Sequence, residues 1–157
     1  MLRIAICDDD ERYLNEVKHM LESWFAAASV QFKIDCFDDG DSLIKQYDYT
    51  KYDIIFLDII MPLLNGMDAA KELRDRDKTV KIIFLTSSPE YALQSYSVKA
   101  TDYCIKPISY EKIKEVMDYC TSIDRQEPES ITLKTKGGYQ KIYLHDIEYI
   151  EAQNKRV

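Results

Sequence analysis

The stretch IIFLDIIMP, residues 54–62, sets eight apolar residues around a single carboxylate, Asp58. Its first half is continuously apolar, which predicts a strand over 52–58 that is buried on both faces. An acid left unpaired in such surroundings would cost folding free energy or lose its charge. Asp58 therefore belongs at the exit of the strand, where something compensates it.

Working outward, strand-like and helix-like patterns alternate. LRIAIC (2–7), FKIDCF (32–37), VKIIFLT (80–86) and TDYCI (101–105) read as four further strands. Between them, Leu14, Val17, Leu21, Trp24, Phe25 and Ala28 recur near helical spacing, and GDSLIKQY (40–47) reads as a short helix. Asn65-Gly66 breaks the chain before a helix marked by Met67, Ala70 and Leu73. SSPEYALQSY starts a fourth helix, with Ser88 as the expected N-cap and Pro89 in its first position. Ser109 is the expected cap of a fifth, whose core face is Ile113, Val116, Met117 and Cys120. Five βα units with apolar strands predict an α/β fold, a doubly wound parallel sheet of strand order 2-1-3-4-5. The site of such a sheet lies beyond the carboxyl ends of strands 1 and 3, where the order reverses.

Composition narrows the classes. Of 157 residues, 46% are hydrophobic, which supports a packed core. No apolar run reaches the length of about 18 residues that a membrane span needs, and MLRIAICDDD is too acidic for a secretion signal. Cys7, Cys36, Cys104 and Cys120 form no C-x-x-C pair, and His19 and His145 stand far apart, which argues against zinc. The thiols read as reduced core hydrophobes, in keeping with a cytoplasmic protein. The net charge of −7 falls entirely on residues 1–122, which excludes that segment as a nucleic-acid binder by charge. Residues 123–130 read as a polar linker. From 131 to 157 apolar and polar residues alternate around Gly137-Gly138, predicting a hairpin and then a third short strand.

The predicted strand ends carry the chemistry. Strand 1 ends in Asp8-Asp9-Asp10, strand 3 in Asp58, strand 4 in Thr86-Ser87 and strand 5 in Lys106-Pro107. Converging carboxylates repel unless a cation joins them, and an all-oxygen donor set suits Mg²⁺. With a carboxylate nucleophile, an ammonium and a hydroxyl nearby, the set suits phosphoryl transfer. Taken singly, each residue has a plainer reading. Acids commonly precede a helix because its dipole favours them, Asp58 could be a polar strand terminus, and Tyr103 is one of 12 tyrosines. Only their joint placement at strand ends points to a site.

The pieces ICDDD (6–10), FLDIIMPLLNGMDAAKELR (56–74), IIFLTSS (82–88) and ATDYCIKP (100–107) resemble the receiver domain of bacterial two-component response regulators, and the resemblance spans residues 1–122. It implies a flavodoxin-like receiver in which a sensor histidine kinase phosphorylates Asp58. It further implies Mg²⁺ on Asp9, Asp58 and the Ile60 backbone carbonyl, with Asp8 acting largely through water. Thr86 and Tyr103 match the switch pair, Lys106 matches the motif's lysine, and the Lys106–Pro107 peptide is expected to be cis. On phosphorylation Tyr103 would rotate inward, and the face of helix 4, strand 5 and helix 5, with Tyr91, Tyr96 and Tyr110, would form a homodimer. Such a domain is a phosphoacceptor switch that assists its own phosphorylation and dephosphorylation, not a conventional enzyme.

The tail, notably YLHDIEYIEAQNKRV (143–157), resembles the first strands of a LytTR-type DNA-binding domain. Residues 131–157 are too short for a whole one, so DNA binding is expected only of a complete output domain. Competing classes fit less well. A haloacid-dehalogenase-type phosphatase needs a second Asp where Ile60 stands, and a flavin binder needs a phosphate loop where DDDERY stands. A phosphate-independent pseudo-receiver, acting as a protein-interaction module, usually lacks an acid or the lysine. None is missing here.

Overall fold

In the computed structural model, Leu2–Cys7 (β1), Phe32–Phe37 (β2), Ile54–Leu57 (β3), Lys81–Thr86 (β4) and Asp102–Ile105 (β5) pair in parallel in the order β2-β1-β3-β4-β5. The structure describes residues 1–123, 130–135 and 138–143. Helices Glu11–Ala28 (α1), Gly40–Tyr47 (α2), Gly66–Arg76 (α3), Ala92–Ser95 (α4) and Tyr110–Ile123 (α5) connect or follow the strands. The chain divides into two compact units, Met1–Cys120 and Thr121–Val157.

The period of two along each strand sorts the core into two layers. Ile4, Ile6, Ile54 and Phe56 pack with α1 and α5 through Val17, Leu21, Ile113 and Met117. Ala5, Cys7, Ile55 and Leu57 pack on the other face with α2 and α3 through Leu43, Tyr47, Ala70 and Leu73. Both faces are covered, which is why the strands read as unbroken apolar runs. The expected core face of α5 is buried throughout. On α1, Ala28 is only half-buried, and Tyr13 takes a core position that the spacing did not single out.

Helix starts follow local chemistry. The Asp10 carboxylate accepts from the Arg12 and Tyr13 N–H groups and caps α1. Asp39 caps α2, and Asn65 caps α3 by accepting from Asp68 N–H at 3.0 Å. Ser109 accepts from Lys112 N–H at the start of α5, as expected.

The fourth helix differs from expectation. Ser88 caps a turn, accepting from Glu90 N–H at 3.3 Å, and α4 begins only at Ala92 and gives way to a 3-10 turn, Tyr96–Val98. The reason is that both backbone groups of Ser88 are engaged elsewhere. Its N–H donates to Thr86 Oγ1, and its carbonyl accepts from the Tyr103 hydroxyl. Cys36 is also a correction. It lies exposed on the edge strand β2, while Cys7, Cys104 and Cys120 are buried. β3 is shorter than predicted, although Asp53 just before it still bonds both neighbouring strands: its N–H donates to the Arg3 carbonyl at 2.9 Å, its carbonyl accepts from Lys81 N–H at 3.0 Å, and its carboxylate accepts from Arg3 N–H at 2.7 Å.

In the second unit, Ser130–Thr135 (β6) and Gly138–Tyr143 (β7) form the predicted antiparallel hairpin. The predicted third strand lies outside the described residues. Among those residues no helix is long and apolar enough to cross a membrane.

Asp77, after α3, ties α2 to the sheet. Its carboxylate accepts from Thr79 N–H and Oγ1 at 2.7 Å, from Val80 N–H at 3.1 Å and from the buried Tyr47 hydroxyl at 2.7 Å. Burial opposes the charge, but the bonds from Thr79, Tyr47 and Val80 prevail and hold the carboxyl below the usual aspartate value. A depressed acid stabilises the fold fully above its unfolded pKa of about 4, and the contribution fades as pH falls toward the folded value. Asp77→Ala should cost about 1–3 kcal/mol at pH 7 by orphaning these donors. Urea melts should show the gap to wild type narrowing below pH 4; a gap independent of pH would refute the assignment.

Candidate functional site

Register brings the strand-end residues together. Asp58 N–H donates to the Cys7 carbonyl at 2.9 Å, so Asp58 leaves β3 beside Asp8 leaving β1. Lys106 N–H donates to the Thr86 carbonyl at 2.9 Å, which fixes Lys106 at the end of β5. The Lys106–Pro107 peptide is cis, as expected.

The Lys106 ammonium sits between two carboxylates, 2.6 Å from Asp8 Oδ2 and 2.9 Å from Asp58 Oδ2. Asp8 and Asp58 are only 2% and 4% exposed. Their other oxygens are also engaged: Asp8 Oδ1 accepts from Asp10 N–H at 2.9 Å and Asp58 Oδ1 from Ile60 N–H at 3.2 Å. Asp9 is exposed at the rim. One carboxylate oxygen from each of Asp8, Asp9 and Asp58 lies within 4.8 Å of the others. Adjacent to them opens a cleft of about 570 Å³ whose walls include Asp8, Asp9, Lys18 and Asp38.

The electrostatics fit a hard dication. Burial raises the Asp8 carboxyl above its ordinary value, against the pull of Lys106 and Asp10 N–H. Burial disfavours the Lys106 charge too, but its hydrogen bonds to Asp8 and Asp58 outweigh that and hold its pKa high. Three carboxylates against one ammonium leave two negative charges, the amount that one Mg²⁺ would balance.

The structure separates the acidic triplet into three tasks. Asp8 pairs with Lys106, Asp9 stands on the rim and Asp10 caps α1, so the plainer reading holds for Asp10 alone. Thr86 is fully buried, and it meets Tyr103 through Ser88, which bonds to both. Tyr103 is already half-buried and packed near Phe84, with ring centroids 6.2 Å apart. In this structure the tyrosine is seated on the loop, its hydroxyl donating to the Ser88 carbonyl. Among the tyrosines expected at the surface, Tyr91 and Tyr110 are half-buried against the core, whereas Tyr96 is 79% exposed beside Leu93 at 83%.

Three contributors escaped the sequence reading. Tyr13 places its ring under Lys106, 4.5 Å from the ammonium to the centroid, and its hydroxyl accepts from Ile108 N–H. Only its position one turn after Asp8-Asp9 hinted at this. Ser88 looked like a cap. Gly66 looked like a chain breaker, yet a Cβ there would stand 2.0 Å from the Asp58 carbonyl oxygen. The β3–α3 loop also holds Leu63 in the left-handed region, at φ 67°, a conformation unfavourable for a residue with a Cβ.

The doubly wound sheet thus carries a carboxylate cluster and a lysine at its switch point. Residues 4–118 match the model of the response regulator receiver domain, and the chain belongs to that family. It is 33% identical over 118 residues to the sensory transduction protein LytT of Bacillus anthracis, covering 74% of this chain and 46% of that protein. The crystal structure of the response regulatory domain of MrkE from Klebsiella pneumoniae superposes with a TM-score of 0.72 at 27% identity, covering 80% of this chain and 100% of that one. The response regulator TrrA of Thermotoga maritima, solved in complex with Mg²⁺ and BeF, gives 0.67 at 29% identity, covering 76% of this chain and 99% of that one. The chain spans between 34% and 58% of the length of the LytT proteins it matches.

Proposed function

We propose that this chain is the phosphoacceptor part of a two-component transcription regulator, and that a sensor histidine kinase transfers a phosphoryl group to Asp58. The observation that carries the reading is the double ion pair of Lys106 with Asp8 and Asp58 next to the three-carboxylate cluster. Asp8, Asp9 and Asp58, with the Ile60 backbone carbonyl, would hold Mg²⁺. The ion supplies positive charge opposite the phosphoryl oxygens.

The chain's own residues do the rest. Asp58 is held by Ile60 N–H and Lys106, so its carboxylate presents in a fixed orientation to the incoming phosphorus. One Asp58 oxygen bonds to phosphorus as the kinase's phosphorus–nitrogen bond breaks. Lys106 balances charge that gathers on the phosphoryl group. The new oxygens can then accept from the Thr86 O–H, and drawing that hydroxyl toward the phosphoryl group strains the bond its oxygen accepts from Ser88 N–H. Since Ser88 also bears Tyr103, a shift at Thr86 moves the β4–α4 loop and Tyr103 together. A phosphate that prefers one packing of this loop shifts the population toward it.

The output of the switch would be a homodimer through α4, β5 and α5. Its exposed apolar weight rests on Leu93, Tyr96 and Ile105. Residues 131–157, after a linker over 123–130, would begin a LytTR-type DNA-binding domain that acts when complete, in the cytoplasm. The hairpin β6–β7 and the similarity to LytT proteins support this. Phosphorylation is tested by intact mass with a small phosphodonor. Light scattering of the same sample should show the mass doubling, and Tyr96→Glu should abolish that without blocking phosphorylation. A phosphorylated wild type that stays monomeric would rule out the dimer.

A further inference from the structure

At the opposite end of the sheet, before β4 and β5 begin, lies a pocket of about 210 Å³ lined by Arg74, Lys78, Ser97, Val98 and Lys99. Three cations and no acid line it, in a protein of net charge −7.

Arg74 is the unusual member. The residue is 9% exposed, and its guanidinium bonds only to neutral carbonyls: Nε to Val98 at 2.7 Å, Nη1 to Val80 at 2.6 Å and Asp77 at 3.3 Å, and Nη2 to Lys99 at 3.2 Å. Four of its five N–H groups are thereby used, and one on Nη2 is left. The nearby Asp77 carboxylate is turned to Thr79, Val80 and Tyr47 instead. A buried cation without a hydrogen-bonded counter-ion is costly. The two lysines on the rim are also unpaired. Neither Lys78 nor Lys99 makes an ion pair among the described residues, so both ammoniums are available to a ligand of this pocket.

We propose that this pocket binds a phosphate-type oxyanion, either free or as the head group of a small phosphomonoester. The anion would receive the remaining Arg74 N–H and the two lysine ammoniums. Charge-assisted bonds from several donors are the usual means of holding such a group. Binding would clamp the turn after α3 to the end of the 3-10 turn, at the base of the loop that carries Ser88 and α4.

The test uses the full chain with Asp58→Asn and EDTA, so that the carboxylate site is silent. Titrated with inorganic phosphate, the backbone amides of Lys78, Ser97, Val98 and Lys99 should shift saturably by NMR. Chloride at equal ionic strength should leave them in place. The double variant Lys78→Gln, Lys99→Gln alters two exposed, unpaired side chains, so it should fold normally and weaken binding by about tenfold or more. Shifts reproduced by chloride, or equal affinity in the double variant, would overturn the proposal. Glycerol phosphate in a parallel arm separates the sources: tighter binding than inorganic phosphate marks a phosphomonoester, and equal or weaker binding marks the free ion.

Discussion

Incubated with Mg²⁺ and a small phosphodonor, the protein should gain one phosphoryl group in intact mass, and Asp58→Asn should gain none. The substitution is nearly isosteric. The Asn side-chain oxygen can still accept from Ile60 N–H, as Asp58 Oδ1 does at 3.2 Å. Lys106 keeps its stronger contact, with Asp8 at 2.6 Å. A folded variant that fails to react therefore isolates the nucleophile. A mass gain that persisted would move the phosphoacceptor elsewhere, with Asp8 or Asp9 first in line. Chelating Mg²⁺ should slow the wild-type reaction by about 10²-fold or more, because the remaining ammonium cannot balance three carboxylates and an incoming phosphoryl group. The product should also last. Ile60, beside Asp58 and 49% exposed, has no polar group to orient an attacking water. Loss of the phosphoryl group within seconds would contradict that reading, and Ile60→Glu should shorten its lifetime.

What could be read without coordinates follows from how local each signal is. The buried strands were legible because their apolar runs are continuous, and Asp58 was legible because it interrupts one. Lys106 and Thr86 were legible only through their shared position at strand ends. Within Asp8-Asp9-Asp10, adjacency hid three different tasks, since the Lys106 that pairs with Asp8 stands 98 positions away. Ser88 was misread for a similar reason. Its sequence neighbourhood favours a helix cap, but the Tyr103 hydroxyl, 15 residues on, takes its carbonyl and the helix starts later. Arg74 lies in a segment that reads as an ordinary amphipathic helix. Its burial depends on carbonyls of Val98 and Lys99, supplied by a turn whose irregularity the sequence did not reveal.

Gly66→Ala should unfold or strongly destabilise the receiver and disable Asp58 at once. A Cβ at this position would stand 2.0 Å from the Asp58 carbonyl oxygen, 2.8 Å from its carbonyl carbon and 2.8 Å from Ile59 Cα. All three are backbone atoms, so no side-chain rotation relieves the overlap. Helix propensity alone would favour alanine by up to about 1 kcal/mol. The overlap must exceed that gain several-fold, and a net loss of about 3 kcal/mol or more is expected. Any relief has to push the first turn of α3 away from the segment that carries Asp58. A displacement of about 1 Å there would slow phosphoryl transfer by about 10²-fold in whatever fraction still folds. Gly40→Ala is the matched control. Its nearest neighbours would be the Leu64 carbonyl at 3.0 Å and Leu64 Cδ2 at 3.3 Å, tight but partly yielding contacts, and it sits at the start of another helix. Urea midpoints and phosphorylation rates measured on both variants decide the point. If Gly66→Ala proved no worse than Gly40→Ala on either measure, the close approach of α3 to the Asp58 backbone would not be what holds the carboxylate in place.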